Sequence, residues 1–153
     1  MSSPPSVSAL TDHVGFWLRM VSNHVSQAFA TKVAEHGVTV AEWCLMRTLY
    51  GREPTAPSRI ADEMGLTRGA VTRLADRLIA KGLVVRVASA EDGRRQTLAL
   101  TARGSDLVPH LAALADRNDT ELFGCLGADE RAALERLLRT LADRGRMTAV
   151  PTD

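Results

Sequence analysis

The feature that most constrains this chain is a charged tetrapeptide, Asp92-Gly93-Arg94-Arg95, set between two short runs of strand character. On one side Leu83-Val84-Val85-Arg86-Val87 is rich in β-branched residues, and on the other Gln96 to Leu100 alternates polar with apolar. Asp-Gly is a strong signal for a tight hairpin turn, because glycine accepts the positive φ that such a turn requires. The pattern predicts a two-stranded ribbon with a charged tip at 89–95, and Gly93 at the left-handed position of its turn.

What precedes the ribbon narrows the reading. Ser58 is placed to cap a short helix, Arg59–Met64, that Gly65 ends; Thr67 is placed to cap a second, about Arg68–Lys81, that Gly82 ends in a left-handed conformation. On the second helix Val71, Leu74, Leu78 and Ile79 share one stripe and face a core. Arg68, Gly69, Thr72, Arg73, Asp76 and Arg77 fall on the other side. A recognition helix needs such a face: small residues admit the backbone to a groove, and Arg and Thr bond base edges and phosphates. The free N–H groups at Thr67–Gly69 favour a phosphate. A solvated amphipathic helix would carry the same stripe. The hairpin directly after it tips the balance, because an arginine-tipped ribbon beside a groove-filling helix has the layout of a wing.

The flanks read as helices. Leu10 to about Glu35 is expected to form one long helix, capped by Ser8 or Thr11 and stopped by Gly37, with Phe16, Met20, Val21, Val25, Phe29 and Val33 at helical spacing. A second helix, about Val40–Tyr50, is capped by Thr39. Thr101 caps a helix to about Gly124 that Pro109 is positioned to bend. The last runs from about Asp129 to Arg144, with Leu134, Leu137, Leu138 and Leu141 at i, i+3, i+4 and i+7. Residues 1–8 and 147–153, punctuated by prolines, read as frayed tails. The expected fold is mainly α with a small β-hairpin, in the order αααα-ββ-αα, and 153 residues suit one such domain.

The net charge of +1 conceals an uneven distribution. Residues 67–104 hold eight basic groups (Arg68, Arg73, Arg77, Lys81, Arg86, Arg94, Arg95, Arg103) against three acids, and the remainder is acidic. That asymmetry is suited to a polyanion. Cys44 and Cys125 are too few for a disulfide framework or a four-cysteine zinc site. Cys44 lies on an apolar helix and reads as buried and inert; Cys125 sits at a helix end. No apolar run approaches the ~20 residues of a membrane span, and Met1–Ser8 lacks the pattern of a secretory signal. A soluble, cytoplasmic chain without membrane association is expected. The G-x-x-x-x-G-K-[ST], G-x-S-x-G and H-E-x-x-H patterns are missing, so an enzyme is not expected. No cofactor or metal is expected either. His13 and His24 lie ~16 Å apart along one helix, and His36 and His110 have no second ligand at i+3 or i+4.

The run Leu66 to Leu78, then Lys81-Gly82-Leu83-Val84, then Asp92-x-Arg94 followed by Leu100-Thr101, resembles the multiple-antibiotic-resistance regulator (MarR) family. The resemblance extends from about Leu10 to Arg144. It implies a homodimeric winged helix-turn-helix transcription regulator, usually a repressor, each subunit reading half of a palindrome in double-stranded DNA. Residues 10–36 and 102–146 would form the dimerisation helices, and 38–101 the DNA-binding lobe. On that reading Thr72 and Arg73 meet base edges, with Arg68, Gly69 and Arg77 on the same face. Thr67 and Ser58 hold phosphates from their caps. Arg94 enters the minor groove, and Arg95 supports it or binds phosphate. Asp92 pairs with Arg94 or Arg95 and sets its direction.

Members of that family commonly release DNA when a small aromatic or phenolic effector binds between the dimer helices and the DNA-binding lobe. By position the candidate lining is Trp17, Met20 and His24 on the first helix and Trp43 and Arg47 on the second. Three of them have a structural alternative: core packing for the two tryptophans, an ion pair with Glu42 or Glu35 for Arg47. The family's redox branch places a reactive cysteine near the start of the first helix, where this chain has Gly15. Two other functions suit the same residues. One is a winged-helix adaptor for protein, the other an activating or architectural DNA-binding protein without an effector.

Overall fold

The computed structural model describes residues 1–153. Six helices and one antiparallel hairpin follow the expected order: α1 (Val14–Ala34), α2 (Val40–Leu49), α3 (Pro57–Met64), α4 (Arg68–Ala80), β1 (Val84–Ala88), β2 (Gln96–Leu100), α5 (Ala102–Phe123) and α6 (Ala128–Arg144). Three threonines cap helices as their positions predicted. Thr39, Thr67 and Thr101 each accept the backbone N–H three residues on, at 3.1 Å.

The core is one cluster of 17 buried apolar residues, drawn from α2, α3, α4, the hairpin, Val33 of α1, Val108 and Leu111 of α5, and Val38 and Leu83 in the connecting segments. In the hairpin Val84 pairs with Leu100 and Ala88 with Gln96. Thr55 bridges to β2 at a single position, exchanging both backbone hydrogen bonds with Leu98 at 2.9 and 2.8 Å. The hairpin's base is joined to α5 at one crossing. Thr101 donates its hydroxyl to the Gly82 carbonyl at 2.7 Å, and its N–H to that of Leu83 at 3.0 Å. Gly104 makes the crossing possible, since a Cβ there would collide with the Leu83 carbonyl. Buried Glu42 on α2 accepts from Lys81 Nζ at 2.6 and 3.0 Å, tying the end of α4 to α2.

Several local expectations are corrected. The first helix begins at Val14, four residues later than its apolar pattern suggested. Leu10–Asp12 forms a separate 3-10 turn, and His13 is extended at the break. Neither Ser8 nor Thr11 caps it; Asp12 accepts the Ala9 N–H at 2.8 Å instead, and Trp17 donates to the Thr11 carbonyl at 3.1 Å. The third helix starts at Pro57, after Ala56, so Ser58 is the second residue of the helix and not its cap. Proline supplies the start there because its fixed φ suits the first helical position. Pro109 does not interrupt α5, which runs from Ala102 to Phe123.

Gly93 has no positive φ. The strands end at Ala88 and Gln96, and the wider loop between them closes through Arg95 N–H to Asp92 carbonyl (2.9 Å) and Ser89 N–H to Arg95 carbonyl (2.8 Å). A loop of this width has no need of the mirror-image turn for which Asp-Gly is selected. The C-terminal segment is no frayed tail: Val150 donates its N–H to the Met64 carbonyl at 2.9 Å. In contrast, α6 buries none of its residues.

Candidate nucleic-acid interface

On α4 the stripe expected to face inward does so: Val71, Leu74 and Leu78 are buried and Ile79 is partly so, and Ala75, outside the expected stripe, is buried with them. Thr67, Arg68, Gly69, Thr72, Arg73, Asp76 and Arg77 form an exposed outer row. Thr67 spends an acceptor on its cap, and its hydroxyl hydrogen remains free to donate outward. Thr72 donates its hydroxyl back to the Arg68 carbonyl at 2.9 Å, which leaves its methyl group and a lone pair outward. Arg73 reaches over Gly69, where an added Cβ would lie 3.8 Å from Nη1. Ser58 is half-buried at the start of α3.

Asp76 would oppose a polyanion from the middle of this row, but Arg86 on β1 donates to its carboxylate. The pair does two things. It neutralises the acid on the outer row, and it sets the base of the hairpin against the exposed face of α4. Sequence reasoning placed Asp76 on that face and missed its partner. The two residues are ten apart on different elements, and no periodicity links them.

At the hairpin tip Asp92 organises the loop. Its Oδ1 accepts the Arg94 N–H at 3.1 Å and its Oδ2 lies 3.9 Å from Arg95 Nε. Of the two partners the sequence left open, the side chain it meets is therefore that of Arg95. Arg94 is held through its backbone, and its exposed side chain is free to reach outward. Ser89 accepts from Glu91 and Asp92 N–H at 3.3 and 3.4 Å and rigidifies the turn further.

The residues suggested for an effector do not come together. Trp17 is 51% exposed and lines an apolar groove with Val14, Leu18, Val21 and the α5–α6 corner at Phe123 and Leu126. Met20 and His24 are exposed and line no cavity with it. Arg47 lies over the Tyr50 ring, 5.8 Å from its centre, and pairs with neither Glu42 nor Glu35. Trp43 alone borders a half-open pocket between α1, α2 and α5, edge-on to Phe29 at 6.4 Å. Cys44 borders the same cavity and is half-buried, with burial pushing its thiol pKa up; Cys125 is exposed. No cluster of three His, Cys, Asp or Glu side chains could hold a metal ion. No helix is long and apolar enough to cross a membrane.

Comparison with known proteins agrees with this geometry. The sequence profile of the MarR family matches residues 36–95, from the end of α1 to the wing tip. A putative transcriptional regulatory protein for the hcr operon of Thauera aromatica is 27% identical over 134 residues, 87% of this chain and 81% of that protein. A variant of MarR from Escherichia coli, solved in complex with operator DNA, superposes with a TM-score of 0.74 at 26% identity, covering 84% of this chain and 92% of that one. The PcaV transcriptional regulator of Streptomyces coelicolor, solved with its natural ligand, superposes with a TM-score of 0.75 at 26% identity, covering 91% and 98%. The MarR-family match falls on residues 36–95, and the helix order, the exposed cationic row and the wing beside it are arranged as in the winged helix-turn-helix transcriptional regulators that the chain resembles.

Proposed function

We propose that the protein is a homodimeric repressor that binds a palindromic operator and releases it when a small aromatic or phenolic molecule binds. The observation that carries the reading is the outer row of α4, cationic once Arg86 neutralises Asp76, with the wing seated against it. On this reading Thr72 and Arg73 read base edges in the major groove, and Arg68 and Arg77 flank them. Gly69 lets the backbone approach. Thr67 and Ser58 donate to phosphates. Arg94 enters the minor groove, with Asp92 holding the loop and Arg95 beside it.

Dimerisation through α1, α5 and α6 is supported by the apolar side chains those elements leave in water. Trp17, Leu18, Val21, Leu137, Leu138 and Leu141 are each 41–57% exposed, and α6 has no buried residue of its own. Such a patch marks an interface, and a two-fold pair would set half-sites about one helical turn, ~34 Å, apart. An effector is supported by the cavity beside Trp43 and by the ligand-bound PcaV neighbour.

The test is selection of bound duplexes from a random pool, followed by challenge of the selected complex with small aromatics. An inverted repeat is expected. Enrichment of no sequence, with salt-insensitive capture of a protein partner instead, would place the winged lobe among adaptors.

A further inference from the structure

The segment after α6 turns back across the winged lobe. Val150 N–H binds the Met64 carbonyl at 2.9 Å, Cys44 Sγ lies 3.4 Å from the Pro151 carbonyl, and a Cβ on Gly65 would sit 2.7 Å from Ala149 Cα. Gly65 also needs its freedom for the left-handed end of α3 (φ +66°). The segment therefore crosses the turn between α3 and α4 at close range and ends over α2. Val150, Pro151 and Asp153 there complete the wall of the cavity beside Trp43, whose volume is about 290 Å3.

The chemistry of that wall is selective. Val25, Phe29, Val40 and Trp43 supply an apolar floor. An apolar cavity of about 150 Å3 accepts benzene, so this one takes a single substituted ring with the segment still in place. The charged side chains on the lining are Asp119 and Asp153, both acidic. Asp119 has only Arg131 of α6 for a cation, at 3.7 Å, and Asp153 has none. Lys32, the nearest ammonium, is committed to Asn118 Oδ1 and Glu121, each at 2.9 Å. Asn118 in turn donates to the Val25 carbonyl at 3.2 Å, so its polar atoms are already engaged.

We propose that residues 149–153 form a built-in wall of this cavity and that, through Asp153 together with Asp119, it admits single-ring aromatics without negative charge, aromatic amines foremost, and rejects aromatic carboxylates. This names the ligand class for the effector reading above and rests on that reading for the consequence to DNA. The binding itself does not depend on it. A carboxylate entering here would meet the unpaired Asp153, with Asp119 only loosely held by Arg131 at 3.7 Å, and no free cation; like-charge juxtaposition is how sites discriminate against near-isosteric competitors.

Cys44 reports on the cavity directly, because its sulfur faces it and contacts the strap. In a Cys125→Ser background, alkylation of Cys44 by iodoacetamide is followed with benzylamine or benzoate, rings of similar size and opposite charge. Benzylamine is expected to slow the reaction and benzoate to leave it unchanged. Asp119→Asn combined with Asp153→Asn is expected to narrow the preference roughly tenfold. Removing residues 148–153 is expected to speed alkylation without ligand, with the circular-dichroism melt checking that the chain still folds. Asp153→Asn alone gives the charge test on an exposed residue that cannot compromise folding. Equal protection by both rings in the unaltered chain, or equal Cys44 reactivity with and without the segment, overturns the proposal. Protection by benzylamine without release of the selected duplex keeps the site and overturns the effector reading, so the two fail separately.

Discussion

Arg86 on β1 donates to the carboxylate of Asp76, so the wing neutralises the one acid on the outer row of α4. An exposed pair of this kind contributes at most ~1 kcal/mol to stability. Its consequence is electrostatic: with Arg86 in place the row presents Arg68, Arg73 and Arg77 unopposed.

Arg86→Ala is therefore expected to leave the melting temperature nearly unchanged and to weaken duplex binding roughly tenfold, by exposing the Asp76 charge to phosphates and loosening the wing. Adding Asp76→Asn to Arg86→Ala should recover part of the loss. Fluorescence anisotropy with the selected duplex measures both. A double variant whose binding is the plain sum of the two single changes would show that the pair does not act as a unit.

Arg73 and Arg77 are expected to differ in kind. Arg73→Ala should cost ~1–3 kcal/mol on the selected duplex and relax the preference at one base position. Arg77→Ala should weaken specific and random duplexes alike and reduce the salt slope by about one phosphate contact. Competition against base-substituted duplexes at several salt concentrations separates the two roles, and equal loss on specific and random DNA for Arg73→Ala would deny it a reading role.

Leu141 is 57% exposed on a helix that buries nothing, so in an isolated chain Leu141→Asp would be nearly neutral. If α6 packs against a second copy, the same change places a charge in an apolar interface. The expected result in sedimentation is a shift from dimer to monomer, with loss of the concentration dependence of Tm and of operator binding. An unchanged sedimentation coefficient would remove α6 from the interface.

Acid sensitivity has one identifiable source on the α3 side. Arg52 grips the Glu63 carboxylate with both Nη atoms, at 2.7 and 3.2 Å, and Arg59 adds a third contact at 3.2 Å. The hydrogen bond from Arg52, ahead of its charge, holds the Glu63 pKa below the ordinary glutamate value. A depressed folded-state pKa contributes stability that is complete above the unfolded value, about 4.3, and is lost as pH falls through the folded one. Arg52→Ala should thus flatten the loss of stability below that pH, with a smaller gap between urea midpoints at neutral and acid pH than in the parent. An equal gap in both proteins would mean the contact is solvent-screened to no effect.

The sequence carried whatever is encoded within about four residues. Thr39, Thr67 and Thr101 cap as read because a cap needs only its own hydroxyl and an N–H three positions on. The inward stripe of α4 and its exposed row follow from helical periodicity alone. Where two local signals competed, the reading failed: Pro57 displaced Ser58 as the start of α3, and the wider wing loop relieved Gly93 of its turn.

What joins distant segments was decided only by the tertiary structure. Asp76 finds Arg86, Glu42 finds Lys81, and Val150 finds Met64 across 10, 39 and 86 positions. Trp17 and Trp43, grouped by their likeness in sequence, are sent to different places, the one to a groove at the α5–α6 corner and the other to a pocket between α1, α2 and α5. Neither spacing nor composition records such pairings, because they depend on how packed helices bring side chains distant in sequence together.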